Sequence, residues 1–304
     1  MTVGEITSMV AMQGFAGLSL FTVLLLMALG LAIIFGQMGV INMAHGEFMA
    51  IGAYVVYLTS QLTHEYAPAL ASVYFIPAIF FAFLVAAAAG YAVEILLVRR
   101  LYQRPLDTLL ATWGLSLGMQ QIFRSLFGAK EVSAELPAWM LGSFTPKQGL
   151  DIPRNGVFVM GLTILVSAGV YYLMFRSRWG IRIRATTQNR SMSSAVGINT
   201  DRVDRFTFAL GCGIAGLAGA AFTTIGSTGP TSGSLYIVDT FLVVVFGGAA
   251  NLLGTIASAF SIAQAQSLLE FFLSSAMAKV LTLLSIIGIL MLRPQGLFVT
   301  KVRA

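Results

Sequence analysis

The chain has 304 residues, of which 57% are hydrophobic and only 10% charged, and its mean hydropathy is +0.85; a soluble domain carries charge on roughly a quarter of its residues. This composition excludes a disordered chain and a secreted enzyme, and the single cysteine, Cys212, excludes a disulfide scaffold. Eighteen Lys and Arg against twelve Asp and Glu give a net charge of +6, which in a chain with so little aqueous surface reports membrane topology rather than nucleic-acid binding.

A helix needs about 20 mostly apolar residues to cross the hydrocarbon core, where the backbone must satisfy its own hydrogen bonds. The first predicted span covers residues 14–35; it is too long for a signal segment and lacks a small-residue cleavage site, so it is expected in the mature protein. Gly36-Gln37-Met38-Gly39 separates it from a second span at 40–58. A long third span, 69–98, carries Pro77 as an expected kink and Glu94 near its end. The fourth, 106–127, is weaker and holds Thr108, Thr112, Gln120 and Gln121. Residues 128–155, with Pro137, Pro146 and Pro153, read as one extended external loop. A fifth span at 156–175 leads into the longest basic segment, 176–205, and a sixth at 206–226 ends in the turn-rich Ser227-Thr228-Gly229-Pro230-Thr231-Ser232-Gly233. Residues 237–292 suffice for two full spans and a shorter or re-entrant piece around Gly247-Gly248, and a basic tail follows from Arg293.

Lys and Arg in short loops set the orientation. Arg99, Arg100 and Arg104 occupy one loop, Arg176, Arg178, Arg182, Arg184, Arg190, Arg202 and Arg205 flank or fill another, and Arg293, Lys301 and Arg303 lie in the tail. All three regions are expected on the cytoplasmic side, which puts the N-terminus outside and the C-terminus inside. The expected fold is all-α: a single transmembrane domain over 1–304 with about eight or nine spans, broken helices and inverted internal repeats.

No catalytic constellation is present. There is no Gly-x-x-x-x-Gly-Lys-[Ser/Thr] phosphate cradle, and His45 and His64 lack partners at metal-ligand spacing. Neither metal nor other cofactor is expected. Polar residues inside apolar segments are costly unless they face protein or water, which marks two clusters as candidates for a solute path. The first is Gln37, Asn42, His45 and Glu47, flanked by Gly36, Gly39, Gly46 and Gly52. It suits a broken helix lining a cavity, and equally an ordinary short loop with His45 and Glu47 at the water interface. The second contains Asp239, Asn251, Gln264, Gln266 and Glu270 beside Gly247, Gly248 and Gly254; Phe246-Gly247 before Asn251 echoes Phe35-Gly36 before Asn42. Gly211, Ala215 and Gly219 recur every fourth residue, a face for close helix packing. This inventory is rich in amides, with no Lys or Arg expected deep among them, and such a lining suits a small neutral solute.

The basic segment 176–205 has a second feature. Ser191-Met192-Ser193-Ser194-Ala195-Val196-Gly197 is small and apolar in the middle of a charged loop, as a short helix ended by glycine would be. A docking helix for a cytoplasmic partner, with Arg184, Arg190, Ser191, Met192, Ser193 and Gly197 as its candidate residues, accounts for this better than attraction to lipid.

The run from Leu31 to Glu47, with its core Ile41-Asn42-Met43-Ala44-His45-Gly46-Glu47, resembles the signature of permease subunits in the branched-chain amino acid family of ABC importers. Residues 104–114, Leu268-Leu269-Glu270-Phe271-Phe272 and Arg293-Pro294-Gln295-Gly296-Leu297-Phe298 resemble more narrowly its urea-transport branch. The likeness runs from about Leu20 to Phe298. It implies a heteromeric importer in a bacterial cytoplasmic membrane: this chain, a second homologous permease, two cytoplasmic ATPases and an external solute-binding protein. The implied solute is urea or a short amide. Branched-chain amino acids are the alternative within the family, and a stand-alone passive urea channel is the alternative outside it. The family's Glu-Ala-Ala-x-x-x-Gly docking pattern is departed from: Gly197 takes the glycine position, but Ser191, Met192 and Ser193 stand in place of Glu-Ala-Ala.

Overall fold

The computed structural model describes residues 3–102, 104–147, 150–248, 251–293 and 296. Within them the chain forms eleven α-helices: α1 Val3–Met38, α2 His45–Tyr66, α3 Phe75–Leu96, α4 Pro105–Phe127, α5 Arg154–Phe175, α6 Arg178–Gln188, α7 Arg190–Ala195, α8 Thr200–Phe222, α9 Ser232–Gly247, α10 Leu252–Phe272 and α11 Ser275–Leu292. A polytopic helical bundle is therefore the fold, as the hydropathy pattern predicts. Six helices, α1, α3, α5, α8, α10 and α11, are long and apolar enough to cross a membrane. With 22 and 23 residues, α2 and α4 have spanning length but carry more polar side chains. α9 has only 16 residues, about 24 Å of helix against a hydrocarbon core of about 30 Å.

Three sequence expectations are corrected. The long third span divides: a 3₁₀ turn at Pro68–Leu70 precedes α3, and Pro77 falls in the first helical turn, where its missing N–H costs no hydrogen bond and no kink results. The loop at 128–155 is not wholly irregular, because β1 Ser143–Lys147 and β2 Leu150–Pro153 pair antiparallel as a hairpin. The shorter piece of the last third is α9 itself, which ends at Gly247 before Gly248 turns the chain at φ +89°.

α8 is the hub. It packs most extensively against α3 and then against α1 and α2, while α10 lies along α1. The four-residue spacing of its small side chains explains this: a Cβ on Gly211 would strike the Gly30 carbonyl and Ile34 of α1, and one on Gly219 the Met49 carbonyl of α2. Ala215 is fully buried between them. The four-residue stripe is thus a packing face, as its spacing predicts. α4 and α11 are peripheral, the former packing chiefly on α2 and the latter on α9 and α10.

The two ends of the bundle differ. At one end Val132 pairs with Thr228, Glu135 N–H donates to Ser60 Oγ (3.2 Å), and Gln13 of α1 bonds Ser267 of α10. At the other, the last turn of α1 meets the basic loops, with Thr187 Oγ donating to the Gln37 carbonyl at 2.7 Å. Loops predicted to share a side of the membrane thus share an end of the bundle.

Candidate functional site

α2 does not begin at a bundle end. From Met38 the chain turns back as a non-helical stretch, 39–44, and His45 starts α2 beside the middle of α1, where its Nε2 lies 3.1 Å from the Met27 carbonyl. Asn42 makes this turn locally: its Oδ1 accepts from Ala44 N–H at 3.1 Å. From there α2 runs toward the loop end, where His64 pairs with Glu135 at 3.4 Å.

α9 repeats the device in the opposite direction. After α8 ends at Phe222, residues 223–231 turn back into the bundle, helped by Ser232 Oγ accepting from Gly229 N–H at 2.8 Å. α9 then descends to Gly247, against Gly254 at the start of α10. The starts of α2 and α9 meet in the interior: a Cβ on Gly46 would collide with the Gly233 carbonyl, and one on Gly233 with that of Gly46. Only glycine permits this approach. Two helix N-termini, each the positive end of its dipole, thus converge on one buried point. The sequence echo pairs the wrong segments: the counterpart of the α2 start is the turn-rich segment ending at Gly233, not the break after Gly247.

Of the sequence-predicted path residues, Asn42, His45 and Glu47 are brought together and fully buried. His45 faces α1, whereas Glu47 faces α4, where Oε1 accepts from Ser116 Oγ (3.0 Å) and Gln120 Nε2 (2.9 Å). Thr112 of α4 accepts from Met43 N–H at 3.1 Å. Thr108, Thr112, Ser116 and Gln120 therefore form one polar stripe at four-residue spacing, turned toward the α2 start. Ser116 is not singled out by composition, though the four-residue spacing carries the signal. Gln37 lies apart, at the basic end. Asn251 caps α10 by accepting from the N–H groups of Leu253 (3.1 Å) and Gly254 (3.2 Å). Gln264 is turned to the first half of α1, donating to the Gly14 carbonyl at 3.3 Å.

A cation that the polar clusters do not announce is Lys279, whose side chain is partly exposed. One turn into α11, its ammonium pairs with buried Asp239 of α9 at 2.8 Å, donates to the Leu235 carbonyl at 3.0 Å and sits 5.5 Å from the Tyr236 ring centroid.

At the basic end a cavity of about 900 Å³ opens beneath the end of α1, lined among others by Gln37, Arg99, Arg104, Thr187 and Arg190. Arg99, Arg190, Asp201 and Asp204 of its lining belong to an ion-pair network that continues to Arg205 and Glu94 behind it. Arg190 bridges Asp204 (2.5 Å) and Asp201 (3.3 Å), Arg99 joins Asp201, and Arg205 lies 3.8 Å from Glu94. Tyr102 donates to Glu94 at 2.9 Å. Burial, with the Asp204 and Glu94 carboxylates beside it, pushes the Tyr102 hydroxyl well above the usual phenol range and keeps it a donor.

The segment predicted to dock a partner is a helix pair. α7 is capped at its start by Asn189, whose Oδ1 accepts from Met192 N–H at 2.9 Å, and Ser191 Oγ donates to the same oxygen at 2.9 Å. It ends in a Schellman turn, with Ile198 N–H to the Ser193 carbonyl (3.0 Å) and Gly197 at φ +88°. Ser193 is buried, while Met192 and Val196 project outward. Arg184 and Arg190 are engaged within the chain, Arg184 with the Met174 carbonyl and the Phe175 ring. Leu297, Phe298, Lys301 and Arg303 lie outside the described residues.

Among the described residues no group of His, Cys, Asp and Glu is placed to hold a metal ion. Interrupted helices meeting inside an apolar bundle, with polar side chains gathered at the break, define the class of membrane transport proteins. The chain belongs to the family described as branched-chain amino acid transport system / permease component, whose model matches residues 14–290. It is 27% identical over 296 residues to the high-affinity branched-chain amino acid transport system permease protein LivH of Salmonella typhimurium, covering 94% of each chain. It is 27% identical to the probable LivH of Methanocaldococcus jannaschii, covering 90% of this chain and 88% of that one. A shorter match, 26% identical over half of this chain and 42% of the other, is to the fructose import permease protein FrcC of Rhizobium meliloti. No solved structure matches.

Proposed function

We propose that this chain is the permease subunit of an ATP-driven importer that carries branched-chain amino acids inward. The observation that carries the permease reading is the convergence of the α2 and α9 starts at Gly46 and Gly233, a closed point at which a path can open. Asn42, His45 and Glu47 are the residues that the solute passes. The names of these relatives support an amino acid rather than urea as the solute. The chain hydrolyses nothing itself. ATP is consumed by two cytoplasmic ATPases that dock on α7 through Met192 and Val196, and the other partners are a second homologous permease and an external solute-binding protein. Arginine in the loops around α6, α7 and the end of α3 supports a cytoplasmic basic end, with the N-terminus outside.

The test is uptake of labelled leucine and labelled urea by cells lacking this chain and by the same cells complemented with it. Leucine uptake that depends on the chain is expected; dependence of urea uptake alone overturns the assignment of solute.

A further inference from the structure

The seam between α2 and α4 contains polar atoms that have no partner among the described residues. Glu47 Oε1 is held by Ser116 and Gln120, but Oε2 is buried without a partner. Seven residues on, on the same face of α2, the Tyr54 hydroxyl is also buried without a partner. Tyr54 is 2% exposed and Glu47 1%. Helical side chains lean back toward the N-terminus, so the hydroxyl leans toward Glu47. The Tyr54 ring stacks on Phe127 (centroids 4.1 Å apart) and tilts against Phe123 (5.1 Å), and Ile51 and Met119 complete an apolar wall. Buried polar atoms in native structures nearly always have partners, and two orphans on one face ask for an absent one.

The chemistry of that partner follows from the orphans. One is a carboxylate oxygen, the other a hydroxyl that can accept as well as donate, and both lie beside aromatic and aliphatic side chains. A primary ammonium carries three N–H donors and one positive charge, so it can donate to both oxygens and balances Glu47 in its carboxylate form. The apolar wall suits an aliphatic side chain. A neutral amide fills the acceptors but leaves the charge unbalanced. α4 packs chiefly on α2, so the seam widens without disturbing the packing of α1, α8 and α10.

We infer that the α2–α4 seam is the subsite for the primary ammonium group of an amino acid solute, with Glu47 Oε2 as its charge partner and the Tyr54 hydroxyl as a second acceptor. The inference rests on the amino acid reading above.

The experiment uses the whole importer, with both permeases, the ATPases and the binding protein, in proteoliposomes supplied with ATP and labelled leucine. Tyr54→Phe removes a hydroxyl that makes no bond among the described residues. Leucine uptake is expected to fall fivefold or more while subunit assembly and thermal stability equal or exceed those of the parent. Glu47→Gln, which keeps the size of the side chain, is expected to lower uptake tenfold or more in the assembled complex. Parental uptake in Tyr54→Phe, or a loss that tracks lowered stability, overturns the inference alone. Failure of the parental complex to take up leucine overturns the amino acid reading and the inference with it.

Discussion

The meeting of Gly46 with Gly233 makes a quantitative prediction. Alanine at either position places a methyl group on the facing carbonyl, and because the obstacle is backbone, the helices must separate. Overpacking of this kind costs about 1–3 kcal/mol, and a backbone obstacle puts these sites at the upper end. Replacing a helical glycine by alanine returns up to about 1 kcal/mol, which leaves about 2 kcal/mol of net destabilisation for Gly46→Ala. Gly118→Ala on α4 is the control, because among the described residues nothing lies within 4 Å of its Cβ position; it should be neutral or stabilising by up to about 1 kcal/mol. Once the first methyl has separated the helices, the second meets less resistance. The Gly46→Ala/Gly233→Ala double variant should therefore be less destabilised than the sum, with a coupling of about 1 kcal/mol or more. Unfolding in mixed micelles by added dodecyl sulfate measures all four variants. Additive effects, or a Gly46→Ala chain as stable as the parent, would refute the contact between the two helix starts.

Gly197→Val forces a β-branched residue into the left-handed region that closes α7; membrane insertion should persist while capture of the ATPases in a pull-down is lost. Arg190→Ala strips buried Asp204 of its counter-charge, at a cost of about 2–3 kcal/mol, below the 3–5 of a fully buried pair because Arg190 is half exposed; the same unfolding titration reads it. Lys279→Met leaves Asp239 unpaired and should cost about 2 kcal/mol, most of it recovered when Asp239→Leu is added, since an apolar pair replaces a buried ion pair with little loss.

How far the sequence carries is seen residue by residue. Apolar runs of about 20 residues mark α1, α5, α8 and the segment of α10 and α11 because lipid admits few alternatives to a continuous helix. Glycines around Asn42, His45 and Glu47 mark the first break, since polar groups at depth need a cavity or a partner. The second break is hidden in composition: Ser227 to Gly233 has the residues of any surface turn, and nothing local states that it folds back into the bundle. α9 is then masked by its apolar neighbours, which merge a 16-residue helix into a longer run. Partners far apart in the chain are equally unreadable. The four-residue spacing of Thr108, Thr112, Ser116 and Gln120 announces a polar face, but that it covers Glu47 is a fact of packing. So is the pairing of Lys279 with Asp239.

Reconstitution of this chain with its second permease, ATPases and solute-binding protein tests the central claim most directly, by following labelled leucine and labelled urea into proteoliposomes with and without ATP. The account predicts that leucine accumulates only when ATP and every partner are present, and that urea does not accumulate. Accumulation of urea without leucine, or entry of either solute in the absence of ATP and partners, would contradict it.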